Sequence, residues 1–361
     1  MYQYLLVILE KGAVPFCHYS NPYYHAPGPP IFMPLAQLEE IIRYALDKSL
    51  SINFLYGKHR LPPEYENLID TISHVKMVPL CLHGIYPDGI LVLDAGDCEA
   101  FAGIEKDSGR NLILRVEPFD LAQLALVVEA LQGGFKRLNI HLVGIEHFTE
   151  KDLDLYEKQL QKISTMLQQN YHEGTETEIN VMTDRLLLKQ MNNCDAGIQH
   201  LTIAPNGKVY ICPGFYYDDE EKALGVWDQG PELVSVNLQL LSIQCAPICS
   251  HCDAFHCKRC VYLNQMTTME INVPSKEQCL IAHTEREASR KMLNKLRDIK
   301  PLDRLTAIAC LSYQDPFDVV AQPIGDSAIA TAGSSASLDV GTSLDQIYEM
   351  QKQILRKLEA K

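Results

Sequence analysis

Eight of the twelve cysteines lie between Cys194 and Cys279, and this crowding constrains the fold more than any other feature of the chain. The run "CAPICSHCDAFHCKRC" holds Cys245, Cys249, Cys252, Cys257 and Cys260; Cys279 follows eighteen residues later. Upstream, Cys194 and Cys212 frame "HLTIAPNGKVYI". A CxxC spacing lets two thiolates reach one metal centre, and a second pair completes a four-ligand set. Cys249/Cys252 and Cys257/Cys260 are two such pairs. The first strand candidate, "YLLVIL", has no basic segment ahead of it and is soon interrupted by Lys11, so it reads as a strand rather than an export signal. A cytoplasmic location is therefore the expectation, and there clustered thiols point to metal or catalysis rather than disulfides. Spacing does not choose between zinc and iron–sulfur, since both accept four thiolates.

The rest of the chain supplies a full globular core. Of 361 residues, 47% are hydrophobic and 22% charged, and the length suits two or three domains. The formal charge of −14 disfavours nucleic acid as a partner, because phosphate binding needs a basic face. No apolar run approaches the ~18 residues of a membrane span, so no membrane partner is expected. Through residue 185, short β-rich runs ("YLLVIL", "SINFLYG", "HVKMVPL", "GILVLD", "NLILRVE", "RLNIHLVGI") alternate with helical patterns. Such alternation predicts an α/β fold, a parallel sheet covered by helices, either open or curled into a partial barrel. From residue 186 to 300 the texture turns to cysteine, glycine and short strands. There Asn206-Gly207 predicts a type I′ hairpin turn, and a helix is expected to begin soon after Cys279. Residues 301–343 read as a partly flexible linker. Residues 344–361 repeat apolar positions at helical spacing and predict an amphipathic helix.

The pattern "CDAGIQHLTIAPNGKVYICPG", then "CSHCDAFHCKRC", then Cys279 resembles the SPASM domain, the cysteine-rich C-terminal module of radical S-adenosylmethionine maturases. Twelve residues separate Cys194 from Gly207 and four separate Gly207 from Cys212, which fits that family. "LGVW" at 224–227 also falls where such modules carry a Leu-Gly strand. The compact group departs from the family in its later gaps, four and two residues against five and three. The resemblance implies one auxiliary four-iron cluster on Cys249, Cys252, Cys257 and Cys279. It implies another on Cys194, Cys212 and Cys260, with Cys245 as the candidate fourth ligand. The fold it implies is a partial (β/α) barrel of the radical SAM type followed by a small α+β module.

Radical enzymes of this kind carry CxxxCxxC just after the first strand. Here that register places Ala13, Cys17 and Ser20 in "AVPFCHYSNP". Only one thiolate is kept, and alanine and serine are poor replacements at a soft-ligand site. The radical cluster is expected to be lost and S-adenosylmethionine not to bind. "CAPICSHC" also matches CxxxCxxC but lies away from the first strand. Among degenerate relatives the chain most resembles the CXXX repeat peptide maturases of bacterial ribosomal-peptide cassettes. That resemblance implies a cysteine-repeat precursor peptide and cassette proteins as partners. A redox maturase acting through auxiliary clusters and a zinc-stabilised interaction module stand as alternatives. Two further candidates are a replacement metal site from Cys17 and His18 with Cys81 and His83, and pocket-lining roles for Glu146 and His147 after a strand end. The five prolines within residues 22–34 predict a loop over the barrel mouth.

Overall fold

The computed structural model describes residues 2–97, 110–175, 177–228, 230–233, 237–297 and 305–311. The helix expected at 344–361, and most of the linker ahead of it, lie outside these. Seven strands run in chain order through a parallel array: β1 (Tyr4–Ile8), β2 (Ser51–Leu55), β3 (His74–Pro79), β4 (Ile90–Asp94), β5 (Asn111–Val116), β6 (Arg137–Leu142) and β7 (Glu178–Ile179). Leu5, Val7 and Ile8 on β1 and Leu112 and Leu114 on β5 are buried, the near-continuous apolar run expected of strands covered on both faces. The covering helices are α1 (Leu35–Lys48), α2 (Pro63–Ile69), α3 (Leu124–Leu131) and α4 (Glu150–His172). Thr149 caps α4 through a box with Asp152, satisfying two otherwise orphaned donors. Tyr156, Leu160, Ile163 and Leu167 then repeat at helical spacing along its buried face.

The cysteine-rich segment adds to this same sheet. A π-helical turn, Asn180–Asp184, leads into the single turn α5 (Arg185–Leu187). Strand β8 (His200–Ile203) then pairs parallel with β1 on the side opposite β2, in the register Tyr4↔His200. Beyond it β9 (Lys208–Tyr210), β10 (Gly225–Trp227) and β11 (Pro231–Leu233) run antiparallel, making eleven strands among the described residues. Three further helices follow the hairpin: α6 (Pro213–Asp218), α7 (Val261–Thr268) and α8 (Lys276–Arg297).

Two local expectations change. The hairpin forms, but only Gly207 has positive φ, at 75°. Pro205 fixes its own φ near −65°, which a type I′ turn cannot use, so the turn closes through Gly207 N–H to the Ala204 carbonyl at 3.1 Å with glycine alone left-handed. Helix α8 starts before Cys279, because the Ser275 hydroxyl accepts the Gln278 N–H at 3.2 Å and sets the first turn there. Residues 305–311 are docked: Thr306 N–H donates to the Leu186 carbonyl at 2.7 Å, and the Arg286 guanidinium to the Ala309 carbonyl at 3.0 Å. No helix among the described residues is long and apolar enough to cross a membrane.

The chain segment after β1 shows that the sheet is curled. Arg115 on β5 donates to the carbonyls of Cys17 at 3.4 Å and Tyr19 at 3.2 Å, while holding Asp94 of β4 at 2.9 Å. The His18 ring nitrogen lies 2.8 Å from the Leu142 carbonyl at the end of β6. A loop leaving β1 reaches β5 and β6 only across the concave face of a partial barrel. Asn21 pins its start, donating to the carbonyls of Ala13 and Lys11 at 2.7 and 3.2 Å.

His200 sits in the β1–β8 seam, stacked on Tyr4 with ring centroids 4.7 Å apart. Burial lowers its pKa from 6.5 to about 4. The neutral ring is therefore compatible with folding above pH 6.5, and stability falls as pH drops from 6.5 toward 4, by roughly 3 kcal/mol in total. His200→Phe should flatten this acid limb in pH-dependent denaturant unfolding while leaving stability at pH 7.5 within about 1 kcal/mol.

Candidate metal centres

Four of the expected ligands meet at one place. Cys249, Cys252, Cys257 and Cys279 line a single narrow hollow together with Met191, Arg259 and His283. Cys279 lies in the first turn of α8, and His283, four residues on, shares its face. The His283 Nε2 is 3.4 Å from Cys252 Sγ. The sequence reading missed His283, although the i, i+4 spacing from Cys279 was its visible signal. Burial pushes the thiols of Cys249 to about 11 and Cys257 to about 12, and that of Cys252 up as well. They would need a metal to hold them as thiolates near neutral pH. A backbone N–H already points at one of the sulfurs: Ala254 N donates to Cys252 Sγ at 3.4 Å.

The second group gathers elsewhere. Cys194, Cys212 and Cys260 all feel one another's charge. Cys194 is tied beside Cys260 by its N–H bond to the Lys258 carbonyl at 2.9 Å. It keeps accessible surface, yet its thiol is raised by burial, as suits a group facing an internal hollow. Cys212 and Cys260 stand at the N-caps of α6 and α7, and Leu263 N donates to Cys260 Sγ at 3.4 Å. These two helices touch intimately: a Cβ on Gly214 would fall 2.6 Å from the Tyr262 ring. Glycine is required there by close approach, not by turn geometry.

Cys257 lines the first hollow and Cys260 does not, though only two residues separate them. Arg259 between them is left-handed, with φ of 41°, a conformation costly for a residue that carries a Cβ. Its buried guanidinium holds the kink by donating to Asn193 Oδ1 at 3.2 Å, Asn272 Oδ1 at 2.9 Å and the Leu241 carbonyl.

Cys245 joins neither group. It is exposed, with Sγ 3.8 Å from the Gln239 carbonyl and 3.6 Å from Ser242 Oγ. Among the described residues, no three His, Cys, Asp or Glu side chains converge closely enough to hold a single ion. Ala13 is fully buried in the core while Ser20 is exposed, so those two positions face opposite environments. Cys81 is exposed against the Lys58 carbonyl at 4.0 Å, whereas His18 is tied to β6. No replacement site unites them, because the loop after β1 turns into the barrel. Glu146 and His147 are likewise exposed, on a 3₁₀ turn after β6; the turn points them outward, and neither lines a hollow described here.

A wider hollow of about 330 Å³ opens beside the proline-rich loop, lined by Glu10, Lys11, Tyr23, Tyr24, Lys58 and His59 among others. Glu10 carboxylate and His59 are 2.7 Å apart, and Lys58 sits over the Tyr24 ring at 4.1–4.3 Å as Lys11 does over Tyr23.

No protein-family model and no curated protein sequence matches the chain. Solved structures do. One is an anaerobic sulfatase-maturating enzyme (anSMEcpe) with bound AdoMet: TM-score 0.56 and 12% identity, over 84% of this chain and 97% of that one. The same enzyme with AdoMet and the Cp18Cys peptide aligns at TM-score 0.55 and 14% identity, over 82% of this chain and 100% of that one. The fold is that of the radical SAM–SPASM maturases. At such low identity the likeness speaks for the fold alone. In this chain the two thiol groups lie in the segment that follows β7 and extends the same sheet.

Cys279→Ser should strip metal from the Cys249, Cys252 and Cys257 set and loosen the segment between them, since ligation supplies folding energy to a loop-rich module. Metal analysis alongside thermal melting checks this; unchanged metal content and melting would remove Cys279 from the set.

Proposed function

We propose that the protein is an iron–sulfur component of a peptide-modification system, carrying auxiliary-type clusters in its cysteine-rich module and no radical cluster in its barrel. The observation that carries the reading is the single hollow lined by Cys249, Cys252, Cys257 and Cys279. Four thiols fit a four-iron cluster chemically. A bound cluster would supply electron transfer or a Lewis-acidic iron. The chain's own residues donate N–H bonds to the sulfurs, exclude water by burial, and place His283 against Cys252.

The loss of S-adenosylmethionine chemistry is supported by the segment after β1. Ala13 is packed in the core, Ser20 is exposed, and Tyr19 is buried under the Arg115 clamp. Structural neighbours do bind AdoMet and a peptide, and the peptide is the part of that behaviour we carry over. The hollow at the barrel mouth, with its tyrosines and lysines, suits an extended segment of polar and carbonyl-rich chain. We assign a cysteine-repeat precursor peptide as the partner, presented to other proteins of its cassette. The alternative of a redox maturase draws on His283, which could couple proton and electron movement at Cys252.

Anaerobic purification followed by iron, sulfide and zinc analysis tests the first part: iron and sulfide in near-equal amounts are expected, and stoichiometric zinc without sulfide would sink it. Chromatography of the reduced, reconstituted protein with S-adenosylmethionine tests the second. No 5′-deoxyadenosine should accumulate, and restoring cysteines at 13 and 20 should not produce it. Turnover that disappears in Cys245→Ala would show instead that "CAPICSHC" is a working radical site.

A further inference from the structure

The sequence leaves one cluster a ligand short, with Cys194, Cys212 and Cys260 in place and Cys245 turned away to the Gln239 carbonyl. The loop inside the barrel carries the missing thiol. We propose that Cys17 is the fourth ligand of the Cys194, Cys212 and Cys260 centre, so that the last surviving cysteine of the degenerate radical motif has been taken over by the auxiliary module. This rests on the iron–sulfur reading above and extends it to a ligand from outside the module.

Three independent contacts bring the loop there. Tyr19, two residues after Cys17, stacks on Tyr217 of α6 with ring centroids 5.5 Å apart, and Cys212 is the N-cap of that helix. Arg115 grips the Cys17 and Tyr19 carbonyls at 3.4 and 3.2 Å, fixing the backbone on both sides of the thiol. β1 itself is hydrogen-bonded to β8, whose flanking segments hold Cys194 and Cys212. The local geometry of Cys17 also repeats that of the other ligands. Leu263 N–H donates to Cys260 Sγ at 3.4 Å, and the backbone amides of His18 and Tyr19 act on the Cys17 thiol in the same sense, opposing the rise that burial gives it. Such bonds to sulfur are a recurrent feature of cluster ligands and tune their potential.

The four thiols lie within electrostatic range of one another. Cys17 interacts electrostatically with Cys194, Cys212 with Cys17 and Cys194, and Cys260 with all three others, which covers every pair of the set. Burial raises the Cys17 thiol to about 12, so an unligated Cys17 would stay neutral. Cys245 is exposed, with its sulfur turned to the Gln239 carbonyl.

The test compares wild type with Cys17→Ser, Cys17→Ala, Cys212→Ala, Cys245→Ala and the Cys17→Ala/Cys212→Ala double variant. All are purified anaerobically and read by iron and sulfide content and by electron paramagnetic resonance of oxidised and reduced protein. Cys17→Ala and Cys17→Ser should each lose about half of the iron, or convert one cluster to a three-iron form. Cys212→Ala should match them, and the double variant should lose no more, because residues acting on one centre are not additive. The Cys249 cluster persists in every case and reports that the variant has folded. Cys245→Ala should be indistinguishable from wild type. Full iron and an unaltered spectrum in both Cys17 variants, or the loss appearing in Cys245→Ala instead, overturns the assignment while leaving the cluster reading intact. Wild-type protein containing metal but no sulfide overturns the cluster reading and this ligand with it.

Discussion

The parallel pairing of β1 with β8 is the constraint on which the rest of the molecule hangs. β1 is an interior strand with β2 on one side and β8 on the other, so the barrel and the cysteine-rich segment share one hydrogen-bonded sheet. The loop leaving β1 must then lie against both. It crosses the concave face to Arg115 and the end of β6, and meets α6 through the Tyr19–Tyr217 stack. A thiol on that loop is placed within reach of the module by backbone geometry rather than by any local pattern.

A second tie is ionic. Arg286 on α8 forms a two-pronged pair with Asp253 at 2.6 Å, and Arg185 of α5 reaches the same carboxylate at 3.3 Å. Both guanidiniums are almost wholly buried, while Asp253 keeps about a third of its side chain accessible. Asp253 follows Cys252 directly, so this pair fixes one wall of the first hollow against the end of the barrel. Close by, Tyr156 of α4 donates to Glu285 at 2.6 Å, and His256 lies 3.0 Å from the other carboxylate oxygen. Buried pairs of this kind add little net stability over apolar packing but are costly to break singly. They fix position, and position is what a set of ligands requires.

The parallel strands were legible in the sequence because each is a short apolar run bounded by turn residues, and the thiol spacing gave the module. Where the reading failed, a neighbour outside the local window decided. Pro205 overrode the Asn-Gly preference for a type I′ turn. Ser275 moved the start of α8 ahead of Cys279. The identical spacings Cys249/Cys252 and Cys257/Cys260 have different outcomes: both members of the first pair line one hollow, whereas only Cys257 of the second does, with the left-handed Arg259 between it and Cys260. That kink depends on Asn193, Asn272 and Leu241, which no pattern around Arg259 announces. Cys17 looked like a remnant because its companions lie about 180–240 residues away along the chain, a distance that local periodicity does not span.

The β1–β8 pairing also dictates an order of events during synthesis. Tyr4 waits for His200, about 200 residues later, before the outer side of β1 is covered. Until then the nascent chain carries an apolar strand with an unpaired edge, a template for wrong partners. Such long-range pairing closes slowly because its loop entropy is met before its contacts form. The cysteines between 194 and 260 emerge from the ribosome as that edge is sealed, so sheet closure and the gathering of thiols are one step of folding. A chain halted before residue 200 would therefore keep that edge open, and any delay there prolongs the exposed form.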